Sequence, residues 1–292
     1  MSAALALDLG GTHLRAALAR AGREGEAAPL GAWPAPADLE SFRARVAGLI
    51  ERHGVTRIGL AIPGLASGAT SVWVPNLPWM DGRDLGRLFG VAAFALGNDA
   101  QLALLAEAAL GAARGVSDAI LLSIGTGIGS AVLSDGRIVR GRDGAAASFG
   151  WACADPADCG DDALGWLERN ASGTALDALA RSLGLADGSA LIAEARAGRA
   201  DARDALQKPA AALGAALAGA VALLGAPRVL ISGGVAGSLD VLAPMILATL
   251  RRHAPPRLRD VTLAPAAFGE RASLVGAGLA AHGHPLWTEG RT

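Results

Sequence analysis

Lysine is almost missing from this chain. Lys208 is the only one, and it lies outside any glycine-rich loop. A Walker-type phosphate loop needs a lysine on the β/γ-phosphates, so that design is excluded. Cysteine is nearly as scarce. Cys153 and Cys159 are too few for a disulfide framework. Six residues apart, they make at most half of a zinc site, and no histidine or further cysteine lies near enough in sequence to complete four ligands. Clustered charge is lacking too. The formal net charge is -1 and the basic residues are scattered, which argues against a nucleic-acid or other polyanionic partner. The N-terminal residues Met1-Ser2-Ala3-Ala4 lack the basic region of a secretory signal and lead straight into an apolar strand. The charge-free run of residues 210–226 is mostly alanine, glycine and leucine. It is short for a membrane span and has neither interfacial aromatics nor flanking basic clusters. It reads as a buried helix in which Gly214 and Ala218 let another helix approach. The expectation is a soluble cytoplasmic protein without a membrane partner.

What is present points to a phosphate-binding enzyme. The 292 residues suffice for two domains, and 52% hydrophobic against 18% charged residues predicts a large core. Asp8-Leu9-Gly10-Gly11-Thr12 follows the apolar run Leu5-Ala6-Leu7 and precedes Leu14 to Leu18. That pattern is strand, glycine turn, strand. Glycine permits φ > 0 and leaves backbone N–H groups uncovered, and with the Thr12 hydroxyl they can cradle phosphate oxygens. Asp8 is suited to hold magnesium through water. The alternative is an ordinary hairpin turn. A second copy follows: the strand 119–124 runs into Gly125-Thr126-Gly127-Ile128-Gly129, and Ser130 to Leu133 resumes the apolar pattern. Two such units suggest a duplicated architecture in which two hairpins clamp a triphosphate.

Two further turns sit at the ends of buried strands. Val91 to Leu96 leads into Gly97-Asn98-Asp99-Ala100 and then an alanine/leucine-rich helix to about residue 113. Asn98 and Asp99 therefore occupy the strand-end position where open α/β sheets bind ligands. Both residue types also make good helix N-caps, and that alternative stands beside the functional one. The helix dipole is expected to keep a carboxylate there ionised and able to accept a proton from a hydroxyl. Residues 227–232 form a strand ending at Gly233-Gly234, which reads either as a plain strand–helix turn or as bare backbone for an adenine ring or ribose. Asp38 is placed to cap a helix through Phe42, Val46, Leu49 and Ile50. Residues 115–118 read as the hinge between halves, and the histidines and tryptophan after residue 281 as tail.

With both hairpins, the Asn98-Asp99 turn and Gly233-Gly234 in hand, the chain resembles the ROK family of sugar kinases and repressors. That family belongs to the hexokinase/actin-like ATPase superfamily. The match runs in order over nearly the whole chain, and its most specific parts are 8–12, 97–100 with Glu107, 125–129 and 233–234. The resemblance implies an α/β, two-domain actin-like ATPase (ribonuclease H-like) fold with a cleft between the domains. Residues 1–115 would form the N-terminal α/β sugar-side domain, with a C-terminal helix at 273–292 returning to it. Residues 116–272 would form the nucleotide and dimerisation domain. The resemblance makes Asp99 the general base and places Asn98 on a neighbouring sugar hydroxyl. Asn76, in Asn76-Leu77-Pro78, falls in the sugar-side loop. Asp8, Gly10, Gly11 and Thr12, with Gly125, Thr126 and Gly127, would hold the phosphates of ATP with Mg2+. Gly233 and Gly234 would hold the adenosine. A small-molecule sugar substrate and a homodimer follow from the same resemblance. No helix-turn-helix segment precedes the first hairpin, which speaks against a repressor.

The chain also departs from the family. The usual Gly-Glu-x-Gly-His-like run has Ser148 at the glutamate position and Trp151 at the histidine position, and the cysteine-rich zinc loop is lost, so no zinc site is expected. Glu168 matches a sugar-contacting glutamate. Exchanging an acid and a histidine for a hydroxyl and a flat apolar wall should move specificity. The expected substrate is a hexose or hexose derivative other than plain glucose: a deoxy, amino, acylated or otherwise less polar sugar, or a polyol. The alternative is a catalytically silent sugar-binding sensor on the same scaffold.

Overall fold

The structure, a computed structural model, describes residues 2–146 and 148–287. The chain divides into two compact units. The first holds residues 2–115, 136–146 and 267–287, and the second 116–135 and 148–266.

The first unit is organised on β1 (Ala3–Leu9), whose interior is fully buried. It pairs antiparallel with β2 (His13–Arg20), from Ala3 opposite Arg20 to Leu9 opposite Leu14. Only Gly10, Gly11 and Thr12 remain for the turn. β3 (Ala28–Pro34) flanks β2, and β4 (Arg57–Ile62) and β7 (Ala93–Asn98) extend the sheet in parallel on the other side. The order is β3-β2-β1-β4-β7. Between β4 and β7 lie the small hairpin β5 (Leu65–Ser67) and β6 (Thr70–Trp73) and the short helix α2 (Leu85–Phe89). One face of the sheet is covered around Phe42, Val46 and Leu49 of α1 (Leu39–His53). Asp38 caps α1 as its sequence predicts, accepting the Ser41 N–H at 2.8 Å, and Gly54 ends it in the left-handed region.

The other face takes α3 (Asp99–Leu110) and α9 (Ala272–Ala281). Both are apolar nearly all round because they are covered on all sides. Two glycines allow that packing. A side chain at Gly276 would run into the Leu102 carbonyl, and one at Gly59 into the backbone of Ala277. The resemblance implies helix from 273 to 292; the helix ends at Ala281, and residues 288–292 of that expectation lie outside the described residues. The reading of the residues after 281 as tail needs correction. Trp287 is buried, lies against Gly97, and has the Arg140 guanidinium 4.7 Å above its ring. The short strand β10 (Arg137–Ile138) is tied to the same segment, the Ile138 N–H donating to the Leu286 carbonyl at 3.0 Å.

The second unit repeats the plan. β8 (Ala119–Ile124) pairs antiparallel with β9 (Ile128–Ser134) and parallel with β11 (Arg228–Ser232), which pairs parallel with β12 (Thr262–Pro265). The order β9-β8-β11-β12 reproduces β2-β1-β4-β7, so the duplication read from the two glycine turns extends to the strand topology. Four helices, α4 (Trp166–Ala171), α5 (Gly173–Ser182), α6 (Gly188–Arg196) and α8 (Leu239–His253), surround α7 (Ala200–Leu224). α7 is long and apolar enough by length and composition to cross a membrane, yet half of its apolar window is buried in this unit. It begins ten residues before the charge-free run because Pro209 is accommodated inside the helix. Gly214 meets the α8 backbone at Ile246 and Leu250, the close approach expected of it. Lys208 lies exposed on the same helix.

Candidate functional site

The first unit gathers one set of site residues at the carboxyl ends of its parallel strands. Asp8 lies opposite Ala61, and Ala61 opposite Gly97, so the ends of β1, β4 and β7 form one row. The first turn is closed by the Gly10 N–H donating to the His13 carbonyl at 2.8 Å. Thr12 is exposed, with the His13 ring 3.0 Å from its hydroxyl. Gly11 is pressed against the side chain of Asn76; a Cβ there would lie 3.4 Å from that of Asn76. The Asn76 loop is fixed by the buried Leu77 and by Asp81, whose carboxylate accepts the Val74 N–H at 2.7 Å.

Asn98 does cap α3. Its Oδ1 accepts the N–H groups of Ala100 at 3.0 Å and Gln101 at 3.4 Å, and its Nδ2 donates to the Gly64 carbonyl at 3.3 Å. Capping and ligand binding are compatible, since the amide carries a second N–H. Asp99 accepts the Ala100 N–H through Oδ1 at 2.7 Å, and no partner is recorded for Oδ2 among the described residues. The expectation that the helix N-terminus alone decides its ionisation is corrected. Burial, and then the charge of Asp8, push the Asp99 carboxyl up to about 6, against the pull of its backbone hydrogen bonds. Burial raises Asp8 as well, offset in part by a hydrogen bond with Ser273 and by Arg15. Nothing in the sequence singles out Ser273, whose partner lies 265 positions earlier.

The fit of magnesium rests on these two acids. An ionised Asp99 feels the Asp8 charge, and a cation beside Asp8 relieves that. A magnesium ion needs one or two carboxylates and keeps its waters, with substrate phosphates completing its shell. Among the described residues no group of three or more histidines, cysteines or acids is placed to hold a metal by itself.

The second unit carries the other set. Its turn at Gly125-Thr126-Gly127 is anchored to α5. The Gly173 N–H donates to the Gly125 carbonyl at 2.7 Å and the Thr174 hydroxyl to the Thr126 carbonyl at 2.8 Å. Gly233 has φ +79° and lies against the Ile124 backbone, while Gly234 faces open space. Gly125, Thr126 and Gly234 line one cavity of about 330 Å³. Its other walls come from α5 and α6, including Thr174, Asp177 and Ser189. These were not picked from the sequence; Ser172 as N-cap of α5, accepting the Ala175 N–H, was the available signal.

Glu168 sits beside the same turn. Side chains at Gly127 or Gly150 would strike its carboxylate, so both glycines make room for it. Burial raises its pKa, opposed by a hydrogen bond from the Ile128 backbone. Ser148 and Trp151 bracket the turn Phe149–Trp151, with the Trp151 N–H donating to the Ser148 carbonyl at 3.1 Å. Trp151 is 48% exposed, a large apolar ring left open to solvent. It borders a cavity of about 570 Å³ with Cys153, Cys159, Trp166 and Arg169. Arg169 forks onto Asp158 at 2.8 and 3.2 Å, and both cysteines are free and exposed.

The ROK family model matches residues 4–284. The bifunctional enzyme NanE/NanK of Brucella melitensis biotype 1 is 33% identical over 288 residues, covering 94% of this chain. The chain spans 53% of that enzyme's length, about half. The N-acetylmannosamine kinase of Citrobacter koseri is 32% identical over 301 residues, covering 96% of this chain and 98% of that one. Among solved structures, a ROK family glucokinase from Streptomyces griseus, in complex with glucose and AMPPNP, superimposes with a TM-score of 0.77 at 25% identity. It covers 96% of this chain and 99% of that one. The strand order of both units and these matches agree on the mixed α/β, actin-like ATPase fold, and the chain belongs to the ROK family.

Proposed function

We propose that the chain is an ATP-dependent kinase that phosphorylates a hydroxyl of a hexose derivative, with 2-acylamino hexoses of the N-acetylmannosamine type as the substrate class. One observation carries the chemistry. Asp99 stands at the start of α3 with one oxygen held by the Ala100 N–H and a pKa pushed up to about 6, close to working pH, as a general base requires. The likeness to N-acetylmannosamine kinases supports the acceptor class, as does the exchange of charged family positions for Ser148 and the exposed Trp151.

In this mechanism the second N–H of Asn98 orients one sugar hydroxyl, and the unbound oxygen of Asp99 takes the proton of its neighbour. The deprotonated sugar oxygen forms a bond to the γ-phosphorus as the bond from that phosphorus to the β-phosphate oxygen breaks, and ADP leaves. Positioning and charge stabilisation do most of the work in such a transfer. Asn76 and Glu168 contribute further sugar contacts. The backbone amides of residues 10–12 and 125–127 hold phosphate oxygens, and Gly233 and Gly234 flank the adenosine. Asp8 would hold Mg2+ through water, and the ion would neutralise charge on the phosphates when bound. Asn76, Asn98 and Asp99 put most of the sugar side on the first unit, with Glu168 added by the second, which also carries the adenosine contacts and dimerisation. A cytoplasmic homodimer completes the reading.

ADP release with a panel of sugars tests it, alongside Asp99→Asn. N-acylated hexosamines should lead the panel, and the variant should lose about 10²–10⁴-fold in kcat. Preference for unmodified glucose would remove the substrate class; unchanged turnover in Asp99→Asn would remove the base. Heat stabilisation by sugar without any transfer would favour the silent sensor, the reading that the loss of an acid at Ser148 motivates.

A further inference from the structure

The 330 Å³ cavity of the second unit has a one-sided chemistry. Leu176, Ile192 and Val235 give it apolar walls, glycines and three hydroxyls give it bare backbone and weak polarity, and no cationic side chain lines it among the described residues. Asp177 is its only ionisable group. A carboxylate accepts hydrogen bonds and repels phosphate, so this part of the cavity suits a neutral group rich in donors.

Asp177 is half committed. Its Oδ1 accepts the Gly188 N–H at 2.7 Å, which fixes the side chain between α5 and α6. Its other oxygen remains an acceptor. Its position along α5 selects what it meets. Thr174, bonded to the Thr126 carbonyl of the glycine turn, precedes Asp177 by three residues. One turn of helix therefore separates them, about 4.5 Å of rise at 1.5 Å per residue. In a nucleotide whose phosphates lie at residues 125–127, the sugar ring is the next group along, and the base lies farther away.

We propose that Asp177 is a specificity-determining residue whose free carboxylate oxygen accepts hydrogen bonds from the vicinal ribose hydroxyls of the phosphoryl donor. The assignment rests on the kinase reading and adds to it a demand for a ribonucleotide. A hydrogen bond from a neutral hydroxyl to a partly buried carboxylate corresponds to about 10- to 100-fold in affinity.

The test is calorimetric binding of ADP, 2′-deoxy-ADP, 3′-deoxy-ADP and IDP to the wild type, Asp177→Asn and Asp177→Ala, with melting curves as a fold control. Asp177→Asn keeps an oxygen for the Gly188 N–H, so it guards against a variant that merely fails to fold. The wild type should prefer ADP over at least one deoxy analogue by about 10- to 100-fold and bind IDP nearly as well as ADP. Both variants should weaken ADP and bring the ratio close to one. Equal affinities of the wild type for ADP and both deoxy analogues would overturn the proposal, and so would variants that retain the preference. Loss with IDP alone would put the carboxylate at the base instead, and also overturn it. Failure of the wild type to bind any of these nucleotides would sink the kinase reading itself.

Discussion

At the residue scale the proposed mechanism turns on how basic Asp99 is. A helix start favours the charged carboxylate, whereas burial and Asp8 disfavour it, and the second pair prevails. The sign of the consequence is fixed. Below about pH 6 the carboxyl holds its proton and cannot take another, so kcat/KM should fall with falling pH through that value and level off above it. A pH–rate profile with an inflection near the ordinary aspartate value would contradict the environment described for Asp99. Asn98 and Asp99 were legible because a strand end, an N-cap and a helix coincide in six residues. Asp177 was not legible. It is one aspartate inside an amphipathic helix, and only the fold brings it to Gly188 and the glycine turn.

At the scale of elements, the glycine turns were plain in the sequence because a turn needs its glycines locally. The docking of α9 was less so, since Gly276 and Gly59 serve neighbours distant in the chain. Glu107, on the last turn of α3, illustrates a bond of the same kind. It is fully buried, and its two oxygens accept the N–H groups of Phe268 and Ala112, each at 2.8 Å. It thereby ties the end of α3 to the segment entering α9. Glu107→Ala should destabilise the protein by about 2–5 kcal/mol, because two buried donors lose their acceptor; chemical denaturation measures it. Glu107→Gln, which keeps one carbonyl oxygen, should cost less.

The loop between Trp151 and α4 is held by charge. Asp158 accepts the Arg169 fork and the Gly160 N–H, and Asp161 accepts the N–H groups of Ala163 and Leu164. These bonds hold both acids below the usual carboxylate range. The stabilisation is therefore complete above the unfolded aspartate value, about 3.9, and is lost as pH falls through the depressed values below it. A zinc-selective chelator should leave turnover unchanged, while Arg169→Ala should raise the protease sensitivity of the loop. Inactivation by the chelator would show that a metal holds it after all.

At the scale of the molecule, one strand plan is used twice, and the proposed site draws mostly on backbone amides, small residues and acids. The duplication was legible from two Gly/Thr turns, whereas the place of residues 136–146 in the first unit was not, because nothing local in that segment marks it. The return of residues 267–287 to the first unit was only partly visible, because Trp287 looks like an exposed end until Gly97 and Arg140 are seen around it.

The scarcity of lysine has a practical side at this same scale. Lys208 is exposed on α7 and is not one of the residues assigned to sugar or nucleotide. An amine-reactive dye should attach to a single internal position and leave ADP binding intact, as intact-mass spectrometry and titration of the tagged sample would report. The chain thus comes with one built-in handle for surface tethering or fluorescence, and no cysteine has to be engineered for it.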